Sequence, residues 1–554
     1  MKVDRDVDVV VIGGGVNGTG VARDLAMRGA KVALLEKNDL AFGASGNSSG
    51  MIHGGARYLT SEPSVTESSC RDSGYIQSIA PHLLFRIPFL MPVLRGGPAK
   101  KIFFTLLDAF FRAYDDYQPL KRGKPHTRLS AGELTSLEPG LVGDLLGGIT
   151  FDEWGIDGGR LCTLNALDAA QRGADVRVHV EVIEILRASD APGARVAGVR
   201  WRDLRTHAIG TTKARIVVNA TGAWGPLTGA LGGVPVKLRP SKGIHVVFDR
   251  RLSNYAIATN AIDGRQVFLE PWQNTSVLGT TDDDYYGDLD DVRPTGDEVR
   301  YLVQAIAEIF PAIRTARAIA VYTGVRPSLF EWGRTEDKVS REHAIVDHGK
   351  KHRGGVPGLY SMIGGKLASY RVFAEEMSDV VASELQITER CRTHVAKLPG
   401  GEDVPDALRV ATDLDVAPVA ARRLVYRHGS RVAGVAERIA QQPDEARVVC
   451  PCEPVLEAEV RHVLHEEFAS TVDDVARRTR LGLGACGGMR CALRCGQIVA
   501  QETGISQREG KRQALRFLTR QRTLRAPALG PEQARQEVLA IAHLAAQVGE
   551  DDLA

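Results

Sequence analysis

The sequence predicts an α/β fold in which a doubly wound nucleotide-binding half comes first and a small cysteine-bearing region comes last. Two observations predict it. The first is a strand–glycine–helix–strand unit at the N-terminus, where G-x-G-x-x-G stands between a short apolar run and a small-residue helix. The second is a set of four cysteines near the C-terminus, Cys450 and Cys452 in C-x-C and Cys486 and Cys491 in C-x4-C.

Asp8-Val9-Val10-Val11-Ile12 has strand composition, Gly13 to Gly18 follows it, a helical pattern runs to Arg28, and Lys31 to Glu36 reads as the second strand. Each glycine has a physical task. Gly13 permits a tight turn, Gly15 lets a pyrophosphate approach the backbone at the helix N-terminus, and Gly18 lets helix and strand pack closely. Glu36 accepts from ribose hydroxyls in this arrangement. FAD and NAD share the fingerprint, and two later segments favour FAD. Ile216 to Gly222 is a strand ending in Ala-Thr-Gly, so Thr221 and Gly222 return the chain to the nucleotide. Ile363-Gly364-Gly365-Lys366 offers a glycine pair where a backbone approaches a flavin ring.

At 554 residues and 44% hydrophobic, the chain has room for roughly three to four domains of ordinary size. Its formal net charge of +2 gives no case for nucleic acid as a partner. Eight cysteines in so long a chain fit a reducing, cytoplasmic setting better than a disulfide framework. The first strand begins too close to Met1 for a secretory signal to precede it, and no apolar stretch reaches the length of a membrane span. Four thiolates are the complement of an iron–sulfur cluster, with structural zinc the alternative. Cys495 reads as a buried thiol or a spare ligand.

Residues 101–115 show helical spacing, with Lys101, Thr105, Asp108, Arg112 and Asp115 on one face. Phe103, Phe104, Leu107, Phe110, Phe111 and Tyr114 fall on the remainder. Packing onto its own domain is the expected fate of that broad aromatic face, and membrane or partner contact the alternative. Asp406 to about Arg438 reads as helical, with Leu408, Val410, Ala411, Leu424, Val425 and Val432 as core positions. Arg508 to Arg525 carries seven basic residues, a solvated face or a docking site for anionic lipid or a partner. Pro531 starts a last helix with Val538, Ile541, Leu544 and Val548 on one side.

Between the cofactor motifs stand Leu35-Glu36-Lys37, Ser45-Gly46-Asn47-Ser48-Ser49 and Ile52-His53-Gly54-Gly55-Ala56-Arg57-Tyr58-Leu59. Asn219 to Trp224, Lys242-Gly243-Ile244-His245, Leu278 to Asp282, Gly324-Val325-Arg326-Pro327 and Gly364-Gly365-Lys366-Leu367 follow in order. These motifs resemble the FAD-dependent glycerol-3-phosphate dehydrogenases over roughly residues 5–400. Val449 to Glu453 and Arg477 to Cys486 resemble the bacterioferritin-associated-ferredoxin-like cysteine domain found in the anaerobic type of these enzymes. The segment 60–125 follows the aerobic type, and Gly50 and Gly46 stand where aerobic relatives usually carry lysine and serine.

The resemblance implies an FAD-binding Rossmann-like domain of the glutathione-reductase/D-amino-acid-oxidase type, interleaved with an antiparallel-sheet substrate domain over 1–395. A helical region (396–445), a 2Fe-2S cysteine domain (446–500) and a basic helical tail (501–554) complete it. It further implies oxidation of sn-glycerol 3-phosphate to dihydroxyacetone phosphate. Arg57, Arg341 and Lys366 would hold the phosphate, Arg326 and His245 would lie near C2, and Tyr58 and Thr280 would complete the pocket. His245 is the preferred base because imidazole titrates near working pH. Ser45, Ser48, Ser49 and His53 would line the flavin. Electrons would leave through a cluster held by Cys450, Cys452, Cys486 and Cys491 to a quinone or partner subunit, with the chain cytoplasmic or peripheral on the cytoplasmic face of the inner membrane. An oxidase returning electrons to oxygen, and a flavin electron-transfer protein with a decayed substrate pocket, are the alternatives.

Overall fold

The structure is a computed structural model that describes residues 4–60, 62–331, 333 and 343–548. Its first sheet has eight strands, and its centre is the predicted unit. Strand Asp4–Ile12 lies between Val32–Leu35 and Ile209–Asn219, parallel to both. Leu359–Gly364 adds a further parallel strand beside Ile209–Asn219. Val9, Val10 and Val11 are fully buried, because helices cover one face of the strand and the strand pair Val180–Arg187 and Val196–Asp203 covers the other. Helix Val16–Met27 starts at Gly15 and sets Ala22, Leu25 and Ala26 into that core beside Phe373 and Met377 of helix Tyr370–Leu385.

The second sheet has nine strands and follows the antiparallel expectation, with one parallel pairing, between Ala256–Asn260 and Leu84–Leu94. Its strands are drawn from 84–94, 127–156, 238–284 and 318–329, and so alternate along the chain with strands of the first sheet. The interleaving has a local cause at Leu145–Ile156, which ends in Asp157. The Asp157 carboxylate accepts from the Arg160 N–H at 3.0 Å and starts helix Gly158–Gln171 in the first domain. An N-cap of this kind contributes about 1 kcal/mol.

Helix Gly97–Asp115 packs on this second domain through Phe104, Phe111 and Tyr114. The aromatic face is narrower than its spacing suggested. Phe103 is 48% exposed, and Ile102 and Leu106 beside it are also exposed, because the strand beneath is wide enough to cover only one stripe of the helix.

Three helices, Ala407–Asp413, Pro418–His428 and Val432–Gln441, follow the second domain. Val410, Ala411, Leu424 and Val432 are core as expected, whereas Leu408 is exposed. It stands one residue after Ala407 opens the first helix, on the side away from the neighbouring helices. Beyond residue 446 a single apolar cluster takes in Cys450, Val472, Leu481, Cys491, Cys495, Phe517 and Leu518, with Ile541 and Leu544 against it. The cysteine segment and the basic helix Gln507–Arg525 therefore share one core. No described helix is long and apolar enough to cross a membrane.

Candidate functional site

A cavity of about 850 Å³ runs between the two sheets. One end is built by the nucleotide fingerprint. Gly13 has φ +111°, and a Cβ there would meet the Ala220 carbonyl oxygen at 2.7 Å. A Cβ on Gly18 would fall 2.0 Å from the Gly13 oxygen, so this position requires glycine for strand–helix contact. Gly15 faces the cavity at the start of the helix, where unpaired backbone N–H groups attract a phosphate. Ser45 Oγ takes one of these donors, the Val16 N–H, at 2.9 Å. Glu36 holds its carboxylate on the Gly14 N–H at 2.6 Å and the Asn38 N–H at 2.7 Å. Burial raises its pKa, and those two hydrogen bonds oppose the rise. Thr221 and Gly222, at the end of strand Ile209–Asn219, close the same end.

Ser45, Ser48, Ser49, His53 and Gly365 line the middle of the cavity. Gly364 and Gly365 have φ +80° and +91°, a left-handed backbone that glycine adopts without strain. The far end is cationic. Lys366 Nζ stands 3.9 Å from the centre of the Tyr58 ring. Arg326 donates to Thr280 Oγ1 at 3.0 Å and to Asp282 Oδ1 at 3.1 Å. Tyr58, Thr280, Arg326 and Lys366 all line the cavity. Arg57 sits on the short turn Ala56–Tyr58 by its backbone, and its side chain lies outside the described atoms. Arg341 lies outside the described residues.

His245 is placed apart from this wall. It is 2% exposed, stacks on Tyr322 with centroids 4.8 Å apart, and packs under Gly279, where a Cβ would meet its ring at 2.2 Å. Both ring nitrogens are buried without a hydrogen-bond partner. Burial first, and then the Arg326 charge, push its pKa down to about 3. The histidine on the cavity wall is His53.

Several lining residues carry no sequence motif. Glu153 accepts from the Gly54 N–H at 2.9 Å and from Tyr114 Oη at 2.9 Å, and Lys121 Nζ pairs with it at 2.6 Å. This buried network fixes the His53–Gly55 loop. Phe89 and Phe151, stacked at 5.1 Å, form an apolar wall. Alternation within strands Leu84–Leu94 and Leu145–Ile156 was the available signal for them, but nothing local marks which face meets a cavity.

The four C-terminal cysteines are neighbours in one segment of the fold, Cys450 and Cys491 buried and Cys452 and Cys486 half-buried. Cys491 beside it pulls the Cys450 thiol down, while Cys450 and burial push Cys491 up. Gly487 and Gly488 turn the chain with φ +59° and +88°. Arg525 closes over Gly487, and Arg480 pairs with Glu453 at 3.4 Å. An all-sulfur donor set with cations beside it suits iron–sulfur or zinc. Cys495 is fully buried, its thiol pushed up by burial. Among the described residues, one group, His428, His462 and Glu467, brings three donor atoms within 4.8 Å of one another. Glu467 there is already neutralised by Arg160 and by Arg431 at 2.5 Å, so that group is a buried ion network.

Comparison with known proteins agrees with this geometry. The model of the family described as FAD dependent oxidoreductase matches residues 8–371. That described as C-terminal domain of alpha-glycerophosphate oxidase matches 391–510. The A1 component of the anaerobic glycerol-3-phosphate dehydrogenase of Haloferax volcanii is 34% identical over 514 residues, 90% of this chain and 83% of that one. The corresponding component of the Escherichia coli K12 anaerobic enzyme is 30% identical over 521 residues, 92% and 91% of the two chains. Among solved structures, the Bacillus halodurans glycerol-3-phosphate dehydrogenase complexed with FAD is similar at a TM-score of 0.76 and 25% identity, covering 95% of this chain and 96% of that one.

Proposed function

The chain belongs to the family of FAD-dependent glycerol-3-phosphate dehydrogenases, and from that premise we propose that it oxidises sn-glycerol 3-phosphate to dihydroxyacetone phosphate. The observation that carries this reading is a single cavity with a nucleotide fingerprint at one end and Tyr58, Thr280, Arg326 and Lys366 at the other.

The fingerprint glycines leave room for FAD, Ser45 and Glu36 orient it, and Gly364-Gly365 brings a backbone without side chains against its ring. Bound there, FAD supplies the hydride acceptor, its N5. Lys366 would grip the phosphate dianion, with Arg57 and Arg341 assigned to it by their sequence motifs, and each charge-assisted bond contributes about 1.5–3 kcal/mol. Arg326, held in place by Thr280 and Asp282, would donate to the C2 oxygen. The C2 hydrogen leaves as hydride, the hydroxyl proton passes to a base, and the C2–O bond becomes a carbonyl. His53 takes the base role in place of His245, because it is the one of the two that lines the cavity. His245 instead packs behind the Gly279–Thr280 wall.

Cys450, Cys452, Cys486 and Cys491 would hold a 2Fe-2S centre, which would supply a one-electron outlet for the reducing equivalents. These four thiolates meet the demand of such a centre for two thiolates per iron, and the C-x-C spacing of the first two is unusual for structural zinc. In this reading residues 446–500 are the ferredoxin-like unit, and the final acceptor is a quinone or a partner subunit on the cytoplasmic face of a membrane. The match of 391–510 to an oxidase C-terminal domain favours one second reading, return of electrons to oxygen as peroxide.

Anaerobic mixing with substrate tests the assignment. Glycerol 3-phosphate bleaches the flavin rapidly and glycerol, lacking the dianion, does so at least about a hundredfold more slowly; equal rates would remove the phosphate clamp. Peroxide formed stoichiometrically in air would select the oxidase.

A further inference from the structure

The cysteine module meets the cofactor cavity through the basic helix Gln507–Arg525, whose Arg520 lies over Phe42, and through a short helix, Val472–Thr479, that holds the loop behind the fingerprint. At its C-terminal end, Arg478 grips Asp39 with both guanidinium nitrogens, at 2.6 and 2.9 Å, and Arg477 reaches the same carboxylate at 3.0 Å. Asp39 is 0% exposed and Arg478 1%. At its N-terminal end, Asp474 accepts from His179 at 3.0 Å, and the His179 backbone N–H bonds the Asn38 oxygen at 2.8 Å. Both contacts therefore converge on the loop 36–39. Within that loop the Asn38 N–H holds Glu36, and Glu36 in turn holds Gly14 of the fingerprint. Arg477 also lies over the ring of Phe42, on the cavity wall, at 5.3 Å.

The helix leads straight into the cysteine loop. Arg480 pairs with Glu453, beside Cys452, and the Gly484 backbone packs on Cys452 so closely that a Cβ would stand 2.5 Å from the Cys452 Cβ. Between residues 481 and 491 stand Gly482, Gly484, Gly487 and Gly488, a segment that a bound metal would fix and that has few side chains to fix itself. A buried ion pair adds little stability compared with apolar packing, but removing one partner leaves an uncompensated buried charge, so Asp39 and Arg478 hold each other in place.

We propose that helix Val472–Thr479 couples the two redox sites, so that filling the cysteine centre tightens FAD binding, with Asp39, Arg477, Arg478 and Asp474 as positioning residues. Metal binding orders the cysteine loop, the loop fixes the helix, and the helix holds the loop 36–39 in the conformation that presents Glu36 to the cofactor. Linkage makes the effect reciprocal, so FAD raises the metal affinity by the same factor. The coupling rests on the cysteine-centre reading given above, whereas the ion pairs that transmit it do not.

The test uses full-length protein stripped of both groups, with the FAD dissociation constant read from flavin fluorescence before and after reconstitution with iron and sulfide. Metal content is measured on each sample. The expected result is FAD tightened about fivefold or more in the loaded wild type. In Asp39→Asn, with metal content and melting temperature retained, the gain falls below about twofold. Arg477→Gln, a milder change at a partly exposed residue, gives an intermediate gain and serves if Asp39→Asn does not fold. Loaded wild type that binds FAD no more tightly than the metal-free form overturns the coupling alone. Protein that takes up no metal overturns the cysteine centre, and the coupling with it.

Discussion

Replacing Arg326 by alanine separates substrate chemistry from cofactor binding. In the structure its guanidinium lies at the cationic end of the cavity, 3.0 Å from Thr280 Oγ1 and 3.1 Å from Asp282 Oδ1. Its removal deletes one charge-assisted bond to the substrate oxygen, about 1.5–3 kcal/mol, or roughly 10- to 150-fold in kcat/KM. It also exposes the Asp282 carboxylate to a substrate dianion without its counter-charge, which adds to the loss. The expected fall is therefore about a hundredfold or more. Arg326→Lys retains the charge but not the fork that reaches both Thr280 and Asp282, and recovers only part of it. Stopped-flow bleaching under anaerobic conditions gives the rate, and the absorbance of the purified variant gives its flavin content. FAD content stays at the wild-type level, because Arg326 bonds Thr280, Thr281 and Asp282, away from the fingerprint glycines. Loss of bound flavin, or turnover within twofold of wild type, would refute the placement of this residue at C2.

Gly15→Val abolishes tight FAD binding, since the branched side chain projects from the helix N-terminus into the cavity beside Ser45 Oγ, only 3.3 Å from the new Cβ; normal flavin content would move the pyrophosphate elsewhere. Cys486→Ser removes the iron–sulfur absorbance and the paramagnetic signal of the reduced protein but leaves flavin bleaching by glycerol 3-phosphate largely intact, as the cavity residues all precede residue 372. The pH dependence of stability carries the signature of His245. Its folded pKa of about 3 lies below the ordinary 6.5, so the unfolded chain takes up a proton that the folded chain refuses. Stability is full above about pH 6.5 and is lost as pH falls toward 3. Melting temperatures of His245→Leu between pH 7 and 5 should fall less steeply than those of wild type, and parallel curves would show that the imidazole is not buried neutral.

The parts of this site that were legible in the sequence are local ones. Strand, Gly13–Gly15–Gly18 and helix follow one another within 25 residues, and hydrogen bonding and sterics at that range dictate both the turn and the cradle. Lys366, Tyr58, Thr280 and Arg326 were reached through motifs, and the fold brings them to one cavity. What stayed hidden depends on pairs far apart in the chain. Lys121–Glu153–Tyr114, which fixes the His53 loop, and Asp39–Arg478, which spans 439 positions, join ordinary charged residues whose partners only the tertiary fold supplies. His245 illustrates the converse: its motif placed it near the substrate, but strand alternation turns its ring to the side of the sheet that Tyr322 occupies. Phe103 shows the limit of helical spacing, which gives the apolar stripe but not how much of it the neighbouring sheet is wide enough to cover.

The most direct test is an anaerobic titration of the purified full-length protein with glycerol 3-phosphate, following flavin absorbance and low-temperature paramagnetic resonance on the same samples, with iron, sulfide and zinc determined beforehand. The account predicts about two irons and two sulfides per chain, bleaching of the flavin, and a reduced-cluster signal that grows as substrate-derived electrons reach the cysteine centre. Bleaching with about one zinc and no iron would contradict the electron route, and a flavin that glycerol 3-phosphate fails to bleach would contradict the reaction itself.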